Sequence, residues 1–273
     1  MKNSFPNSTF QTPFTTIAHR GASGITPENT ITAFETAIEK FNFDSIELDV
    51  HCSKDGEILV IHDETLERTT DGQGLVKEKT LQSLKSLDAG YRFTPEGETS
   101  CPYRGKELRI PTLAEVLDRF PNTKLNIELK QRSPSVEERF ISVIREQNRE
   151  KDVIIGSHNY TVSHKLKKIA PEITSFFSRR DVLFFYTCYK THFLRFHKTR
   201  HSSVQITPRH KNKDIITPEF VKAVHEKNLK LHAWTINDED MMERLIKFGV
   251  DGIMTDYPDR LNRVLGKMRT QII

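Results

Sequence analysis

Short apolar segments that alternate with helical patterns constrain the fold of this chain more than any other feature. We predict strands for nine short apolar segments, at residues 15–18, 44–50, 57–61, 124–129, 152–155, 173–177, 203–206, 230–235 and 251–254. Apolar residues recur at helical spacing in the intervals 28–40, 113–120, 135–147, 218–227 and 238–248. Eight strand and helix units in 273 residues favour a TIM (β/α)8 barrel, whose functional groups gather at the carboxyl ends of its strands.

One segment, residues 51–108, interrupts this alternation. It contains the strand predicted at 57–61, turn signals at Asp71-Gly72 and Glu96-Gly97, and a short helical pattern from Thr80 to Leu87. We interpret it as an insertion after the second barrel strand that covers the barrel mouth. The alternative is an ordinary surface loop, but the apolar run at 58–61 argues against it. The length and composition require no second domain, so we predict a single domain over residues 1–273.

The predicted second barrel strand carries two carboxylates on one face. In the sequence Ser45-Ile46-Glu47-Leu48-Asp49-Val50, alternation turns Glu47 and Asp49 to the same side. Such a pair repels strongly in a buried site unless a cation or a shared proton compensates it. Hard oxygen ligands suit Mg²⁺, Ca²⁺ or Mn²⁺ better than zinc. The alternative is an edge strand whose polar face is hydrated.

A second strand adds a third carboxylate. In residues 124–130, alternation places Asn126, Glu128 and Lys130 on one face. Glu128 is therefore a candidate third metal ligand. Lys130 could neutralise a phosphate oxygen or simply pair with Glu128.

Two histidines follow apolar strands. His19 stands in Ile17-Ala18-His19-Arg20-Gly21, and His62 ends the run that begins at the Asp55-Gly56 turn. Histidine accepts and releases protons near neutral pH, so the two histidines are candidates for an acid and a base. A lone histidine at a strand end is more often a packing or surface residue. The prediction therefore depends on the nearby carboxylates.

The ordered set of these motifs resembles the glycerophosphodiester phosphodiesterase family over about residues 15 to 265. The matching fragments are His19-Arg20-Gly21, Pro27-Glu28-Asn29-Thr30, Ala33-Phe34, Ile46-Glu47-Leu48-Asp49-Val50, Asp55-Gly56, His62-Asp63, Arg68-Thr69-Thr70, Gly74, Pro111-Thr112-Leu113, Asn126-Ile127-Glu128-Leu129-Lys130, Trp234-Thr235-Ile236-Asn237 and Gly249 to Pro258. Each fragment is short, but their order and spacing are specific.

The resemblance implies a role for each matching residue. His19 and His62 would be the general acid and base, Arg20 would contact the phosphate with help from Lys130, and one divalent metal ion, Mg²⁺ or Ca²⁺ with Mn²⁺ as an alternative, would be held by Glu47, Asp49 and Glu128. Trp234 would border the glycerol pocket, with a core aromatic as the alternative. The expected substrate is a small glycerophosphodiester, and the products are sn-glycerol 3-phosphate and an alcohol.

The sequence is compatible with two other functions. One is a lysophospholipase D-like attack on lysophospholipids, and another is a non-catalytic phosphoester-binding barrel. The filled acid, base and ligand positions favour an enzyme. One departure from the family pattern concerns the pocket, because His158 stands where similar sequences usually have Ser-Phe.

Charge and hydropathy limit the partners. The net charge of +4 fits mild attraction to anionic substrates rather than nucleic acid binding. Basic and aromatic residues are interleaved over 179–213, which we interpret as barrel-exterior helices in preference to a contact with an anionic membrane surface. No apolar run is long enough to span a bilayer, and residues 1–6 lack the core of a signal peptide, so we expect a cytoplasmic protein. No sequence feature defines an oligomeric state.

Overall fold

The computed structural model describes residues 14–211 and 213–270. Residues 1–6, on which part of the localisation prediction depends, lie outside the described residues. Within the described part of the chain, no helix combines the length and apolar character needed to cross a membrane.

Eight parallel strands form a nearly closed barrel, which confirms the predicted fold. They are β1 Thr15–His19, β2 Ser45–Cys52, β4 Lys124–Leu129, β5 Val153–Gly156, β6 Thr174–Ser175, β7 Ser203–Ile206, β10 Lys230–Ala233 and β11 Gly252–Thr255. The hydrogen-bonded order is β6-β5-β4-β2-β1-β11-β10-β7. A parallel bridge between Phe176, just after β6, and Ser203 in β7 joins the two ends of this order. This bridge closes the barrel between β6 and β7, and β1 and β11, the first and last barrel strands along the chain, pair directly.

Helices surround the barrel strands. They are α1 Ile31–Glu35, continued by a π-helical turn Thr36–Lys40, α2 Leu81–Lys85, α3 Leu113–Arg119, α4 Glu137–Glu146, α5 Tyr160–Ile169, α6 Arg179–Lys190, α7 Pro218–His225, α8 Glu239–Phe248 and α9 Pro258–Thr270. Short 3₁₀ turns occupy Val76–Glu78 and Leu194–Phe196, and a small hairpin pairs β8 Arg209–His210 with β9 Lys213–Asp214. Thr217 caps α7 and Asp238 caps α8. Both helices therefore begin close to the starts indicated by the sequence.

The segment between β2 and α3 is the predicted insertion. Strand β3, Ile58–Val60, pairs antiparallel with the end of β2 rather than joining the barrel order, with Val50 opposite Val60. Because β2 continues to Cys52, the insertion begins two residues later than predicted. It has a small core of its own, formed by Leu59, Ile61, Leu66, Val76, Leu84, Ala89 and Ile110. The insertion is therefore a packed substructure and not a simple loop.

Alternation along the barrel strands separates apolar from polar side chains. Ile46, Leu48 and Val50 of β2 are buried in an apolar layer that includes residues of α3 and α4. Glu47 and Asp49 belong to the opposite face of the same strand and line a cavity inside the barrel. The same alternation in β4 turns Asn126 and Glu128 inward. The fold thereby collects polar groups at one end of the barrel.

Candidate active site

All eight residues singled out from the sequence line one cavity of about 130 Å³ at the carboxyl ends of the barrel strands. They are His19, Arg20, Glu47, Asp49, His62, Glu128, Lys130 and Trp234. Barrel strands β1, β2 and β4 position six of them, the insertion supplies His62, and the segment after β10 supplies Trp234. The topology therefore brings together side chains that are far apart in the sequence.

Three buried carboxylates dominate the electrostatics of this cavity. Burial and the neighbouring charge of Asp49 raise the pKa of Glu47 well above its usual range. Burial acts in the same direction on Asp49, but the adjacent Arg20 and Lys130 outweigh it and lower the pKa of Asp49. Glu47 is therefore buried without enough positive charge nearby to stabilise its ionised form fully.

Two cations contact the carboxylates. Lys130 Nζ donates to Glu128 Oε2 at 3.1 Å and lies 3.4 Å from Asp49 Oδ1. Arg20 Nε lies 3.2 Å from Asp49 Oδ2, and the Arg20 backbone N–H donates to Glu47 Oε2 at 3.0 Å. Both cations therefore stand where an anionic group entering the cavity would meet them. The pairing of Lys130 with Glu128, considered as an alternative from the sequence, is present in this structure.

The cavity presents carboxylate oxygens of the kind that bind divalent cations. Within residues 14–211 and 213–270, no three acidic, histidine or cysteine side chains are arranged as an assembled metal site. However, three buried carboxylates face two cationic groups, and Arg20 also pairs with Glu28 at 3.0 Å. The cavity therefore has an excess of hard anionic oxygens, which is the chemistry that Mg²⁺ and Ca²⁺ require. The residues fit such an ion by type and by charge.

Asp256, which follows the last barrel strand, contacts His19 at the end of the first barrel strand. His19 Nδ1 lies 2.7 Å from Asp256 Oδ1, and Asp256 also accepts from Ser23 Oγ at 2.8 Å and from Asn237 Nδ2 at 2.6 Å. Burial favours protonation of Asp256, but hydrogen bonding and charge from His19 lower the pKa of Asp256 to about 2. An ionised Asp256 accepts a hydrogen bond from Nδ1–H and leaves Nε2 of His19 for chemistry. On the other side of the ring, Nε2 is 3.9 Å from Glu47.

His62 is held in a similar way by its neighbour. His62 Nδ1 lies 2.6 Å from Asp63 Oδ1, and His51 Nε2 on β2 donates to the His62 carbonyl at 3.1 Å. Arg68 binds Asp63 and makes two 2.7 Å bonds to Glu28. A continuous chain of charges therefore connects the His62 loop to Glu28, the partner of Arg20.

The segment Pro27-Glu28-Asn29-Thr30 explains part of this arrangement. Asn29 has a positive φ of 56° and donates from Nδ2 to Asp49 Oδ2 at 3.2 Å. Thr30 caps α1, which begins at Ile31 rather than at Glu28 as predicted. The left-handed turn frees the Glu28 and Asn29 side chains from the helix and directs both to the site.

The structure also adds residues to the cavity. His158, the departure noted in the sequence, stacks on Trp234 with ring centroids 5.0 Å apart, and its backbone N–H donates to Glu128 Oε1 at 3.2 Å. The other added residues are Asn126, Phe176, Arg179, Gln205 and Met254. Side chains of Asn126 and Gln205 exchange hydrogen bonds of 3.2 and 3.3 Å across the barrel. Positions at a strand end or on the inward face of a strand could have identified these residues, except Arg179, which begins α6.

A second recess opens beside the first. It has a volume of about 460 Å³ and shares His19 and Arg20 with the main cavity. Phe93 and Thr94 of the insertion form part of its wall, together with Tyr257. A substrate whose central group lies at His19 and Arg20 therefore has space on both sides.

Fold and cavity together define a TIM-barrel enzyme, with its polar residues at the carboxyl ends of the strands where enzymes of this architecture have their active sites. The model of the glycerophosphoryl diester phosphodiesterase family matches residues 19–260. The chain belongs to this family, and the resemblance seen in the sequence is confirmed.

Relatives cover nearly the whole chain. A glycerophosphodiester phosphodiesterase from Caldanaerobacter subterraneus subsp. tengcongensis is 41% identical over 257 residues, covering 92% of this chain and 97% of the relative. Lysophospholipase D GDPD1 of Homo sapiens is 30% identical over 274 residues, with 91% of this chain and 85% of the relative covered.

Solved structures agree on the fold. A phosphodiesterase from Oleispira antarctica, in complex with the product sn-glycerol-3-phosphate, has a TM-score of 0.74 at 27% identity and covers 92% of this chain and 96% of its own. A glycerophosphoryl diester phosphodiesterase domain from Mycobacterium tuberculosis has a TM-score of 0.81 at 21% identity, covering 94% of this chain and all of its own, and supports the fold alone.

Proposed function

We propose that this chain is a phosphodiesterase that cleaves glycerophosphodiesters into sn-glycerol 3-phosphate and an alcohol. The observation that carries the proposal is the meeting of two carboxylate-held histidines, two cations and three buried carboxylates in one cavity. Relatives named for this activity, and the neighbouring structure with sn-glycerol-3-phosphate, support the substrate class.

The proposed chemistry divides between His19 and His62. One imidazole accepts the proton of the attacking hydroxyl while the hydroxyl oxygen bonds to phosphorus. The other imidazole donates a proton to the oxygen of the leaving alcohol while the bond between that oxygen and phosphorus breaks. The attacking group is water or the glycerol hydroxyl of the substrate; the latter gives a cyclic phosphate that water then opens. Asp256 and Asp63 keep each Nδ1 occupied, so that Nε2 of both rings serves as the working atom.

Arg20 and Lys130 are proposed to bind the phosphate. An arginine presents two parallel donors to phosphate oxygens, whereas a lysine acts as a compact positive charge. Both groups line the cavity, and neither is more than one-fifth exposed, so their attraction for an anion is little weakened by water. Trp234, stacked on His158, offers a flat apolar wall for the carbon atoms of glycerol.

We propose that Glu47, Asp49 and Glu128 hold one divalent metal ion, Mg²⁺ or Ca²⁺, with Mn²⁺ as an alternative. The excess of buried carboxylates over cations supports this assignment, as does the raised pKa of Glu47. A bound divalent ion polarises a phosphoryl oxygen and stabilises charge that develops on it. Arg20 would neutralise the phosphate's remaining charge.

A second candidate substrate class is lysophospholipids. It is favoured by the identity of 30% with a human lysophospholipase D and by the second recess, which Phe93 and Tyr257 help to line. An acyl chain that leaves the phosphate on this side would pass Phe93 and Tyr257, whereas most of the recess is lined by polar side chains. The non-catalytic binding alternative receives no comparable support, because both proposed proton carriers are present and oriented.

The decisive experiment is a panel of glycerophosphodiesters and lysophospholipids. Turnover should disappear in EDTA and return when Mg²⁺, Ca²⁺ or Mn²⁺ is restored. Release of sn-glycerol 3-phosphate from glycerophosphodiesters is the expected result. Turnover that persists in EDTA would contradict the metal assignment, and substrate binding without turnover under every condition would leave the non-catalytic alternative.

A further inference from the structure

In the described part of the chain, the exposed large apolar side chains lie on α5, on α6 and in the segment that follows α6. Five occur within residues 14–211 and 213–270, namely Tyr160, Leu183, Phe184, Phe193 and Phe196. Leu183 and Phe184 belong to α6, Phe196 to the 3₁₀ turn after it, and Phe193 caps that turn. Tyr160, on the neighbouring α5, lies beneath Arg180 of α6, with the guanidinium 4.5 Å from the ring centroid. We name these five residues the aromatic patch.

The aromatic patch stands on a packed base. Phe185, on the inner face of α6, is fully buried and contacts Phe177 and Phe220 edge to face. Buried His197 packs on Phe185 at 5.1 Å and on exposed Phe184 at 5.5 Å, which ties the 3₁₀ turn to the helix. The patch is therefore displayed by ordered elements. An amphipathic helix on the barrel exterior, the interpretation favoured from composition, accounts for Phe185 but not for outward-facing Leu183 and Phe184.

Cations share the segment that carries most of the aromatic patch, and Arg180 and Arg195 contact patch rings. The segment 179–200 contains the basic residues Arg179, Arg180, Lys190, Arg195, Lys198 and Arg200. Its one acidic residue, Asp181, is engaged in the capping box of α6 with Ser178. In the described part of the chain, none of the six cations forms an ion pair with a carboxylate. The Arg195 guanidinium instead lies 4.5 Å from the Phe196 ring centroid.

We propose that the aromatic patch binds an anionic lipid surface. Aromatic side chains are suited to the interface between headgroups and acyl chains, and unpaired Lys and Arg are attracted to anionic headgroups. A second copy of the chain is a poor occupant, because a two-fold contact would place the six cations against the same six cations. Arg179 is the first residue of α6 and also lines the main cavity. Lipid bound at the aromatic patch therefore lies beside the mouth of that cavity.

Vesicle co-sedimentation tests this proposal with the full chain. The protein should sediment with phosphatidylglycerol–phosphatidylcholine vesicles and remain in solution with phosphatidylcholine alone, and high salt should release it. Arg195→Glu/Lys198→Glu should weaken binding at least about tenfold. The matched control Lys222→Glu/Lys267→Glu makes the same charge change at side chains that are 79% and 67% exposed on α7 and α9, and should bind normally. Phe193→Ser/Phe196→Ser should weaken binding without changing charge.

Several outcomes would overturn the proposal. They are failure of the unmodified protein to bind anionic vesicles, an equal loss in the matched control, and a concentration-dependent dimer that Phe193→Ser/Phe196→Ser abolishes. The last result would assign the patch to a second copy. Thermal unfolding checks that each variant is folded. Because binding is measured without turnover, the result is independent of the proposed phosphodiesterase activity.

Discussion

At the scale of single residues, the proposed reaction depends on how His19 and His62 are held. Each imidazole has an aspartate on Nδ1, at 2.7 Å for His19 and 2.6 Å for His62. With Nδ1 held by an aspartate, the ring that acts in its neutral form takes a proton at Nε2, while the ring that acts in its protonated form gives one from Nε2. The two rings should therefore be needed together, and neither should be replaceable by solvent.

His19→Ala and His62→Ala should each lower kcat by about 10²- to 10⁴-fold, the usual contribution of a positioned acid or base. Metal binding, followed by calorimetry, should persist because the three carboxylates remain. His210→Ala changes an exposed histidine of β8 and is the control that should retain full activity. A variant at position 19 or 62 with unchanged kcat would remove that histidine from the proposed chemistry.

Sequence patterns located the lining of the cavity but not its internal contacts. Alternation in β2 and β4 was sufficient to place Glu47, Asp49 and Glu128 inward. The bond between His19 and Asp256 joins residues 237 positions apart, so no local pattern specifies it. The stacking of His158 on Trp234 likewise depends on where β5 and β10 lie around the barrel.

At the scale of elements, strand register depends on close backbone approach between β1 and β11. Thr15 is opposite Gly252, and a Cβ added to Gly252 would lie 2.7 Å from the Thr15 carbonyl oxygen. Backbone in a central sheet cannot move aside easily. Glycine at this position therefore allows the first and last barrel strands to pair.

Gly252→Ala should lower the free energy of unfolding by about 1–3 kcal/mol, as overpacking of an interior does. Gly266→Ala is the matched control, since nothing lies within 4 Å of its added Cβ in α9, and it should stabilise the protein by about 1 kcal/mol through helix propensity. Urea unfolding measures both. Equal effects of the two substitutions would contradict the close-packing argument.

Element prediction was successful where caps and apolar stripes were strong. The barrel strands were all anticipated, including β6, of which only Thr174 and Ser175 have strand geometry. Helices α5, α6 and α9 were not individually predicted. In α6, outward-facing Leu183 and Phe184 blur the contrast between an apolar and a polar face that identifies an amphipathic helix. The β8–β9 hairpin was also missed, because its strands have two residues each.

At the scale of the whole molecule, a buried histidine should link folding stability to pH. His232 on β10 faces the barrel interior, and its Nδ1 has no hydrogen-bond partner among the described residues. Burial lowers the pKa of His232 to about 4, although Asp251 acts in the opposite direction. An unfolded chain takes up this proton near pH 6.5. Stability is therefore complete above that pH and is lost as the pH falls toward 4.

His232→Gln should remove this contribution. Between pH 7 and pH 5, the unmodified protein should lose about 2 kcal/mol more unfolding free energy than the variant. Urea unfolding at the two pH values gives both differences, and groups common to the two proteins cancel. The same pH dependence in both proteins would show that His232 is not the group responsible.

The bond between His19 and Asp256 has a consequence for biosynthesis. His19 leaves the ribosome early, but its partner emerges only after the other seven barrel strands have been made. A nascent chain that already contains both histidines and all three carboxylates still lacks the group that fixes the His19 tautomer. Catalytic competence should therefore arise late in translation, and released fragments that stop before Asp256 should have little ability to consume substrate.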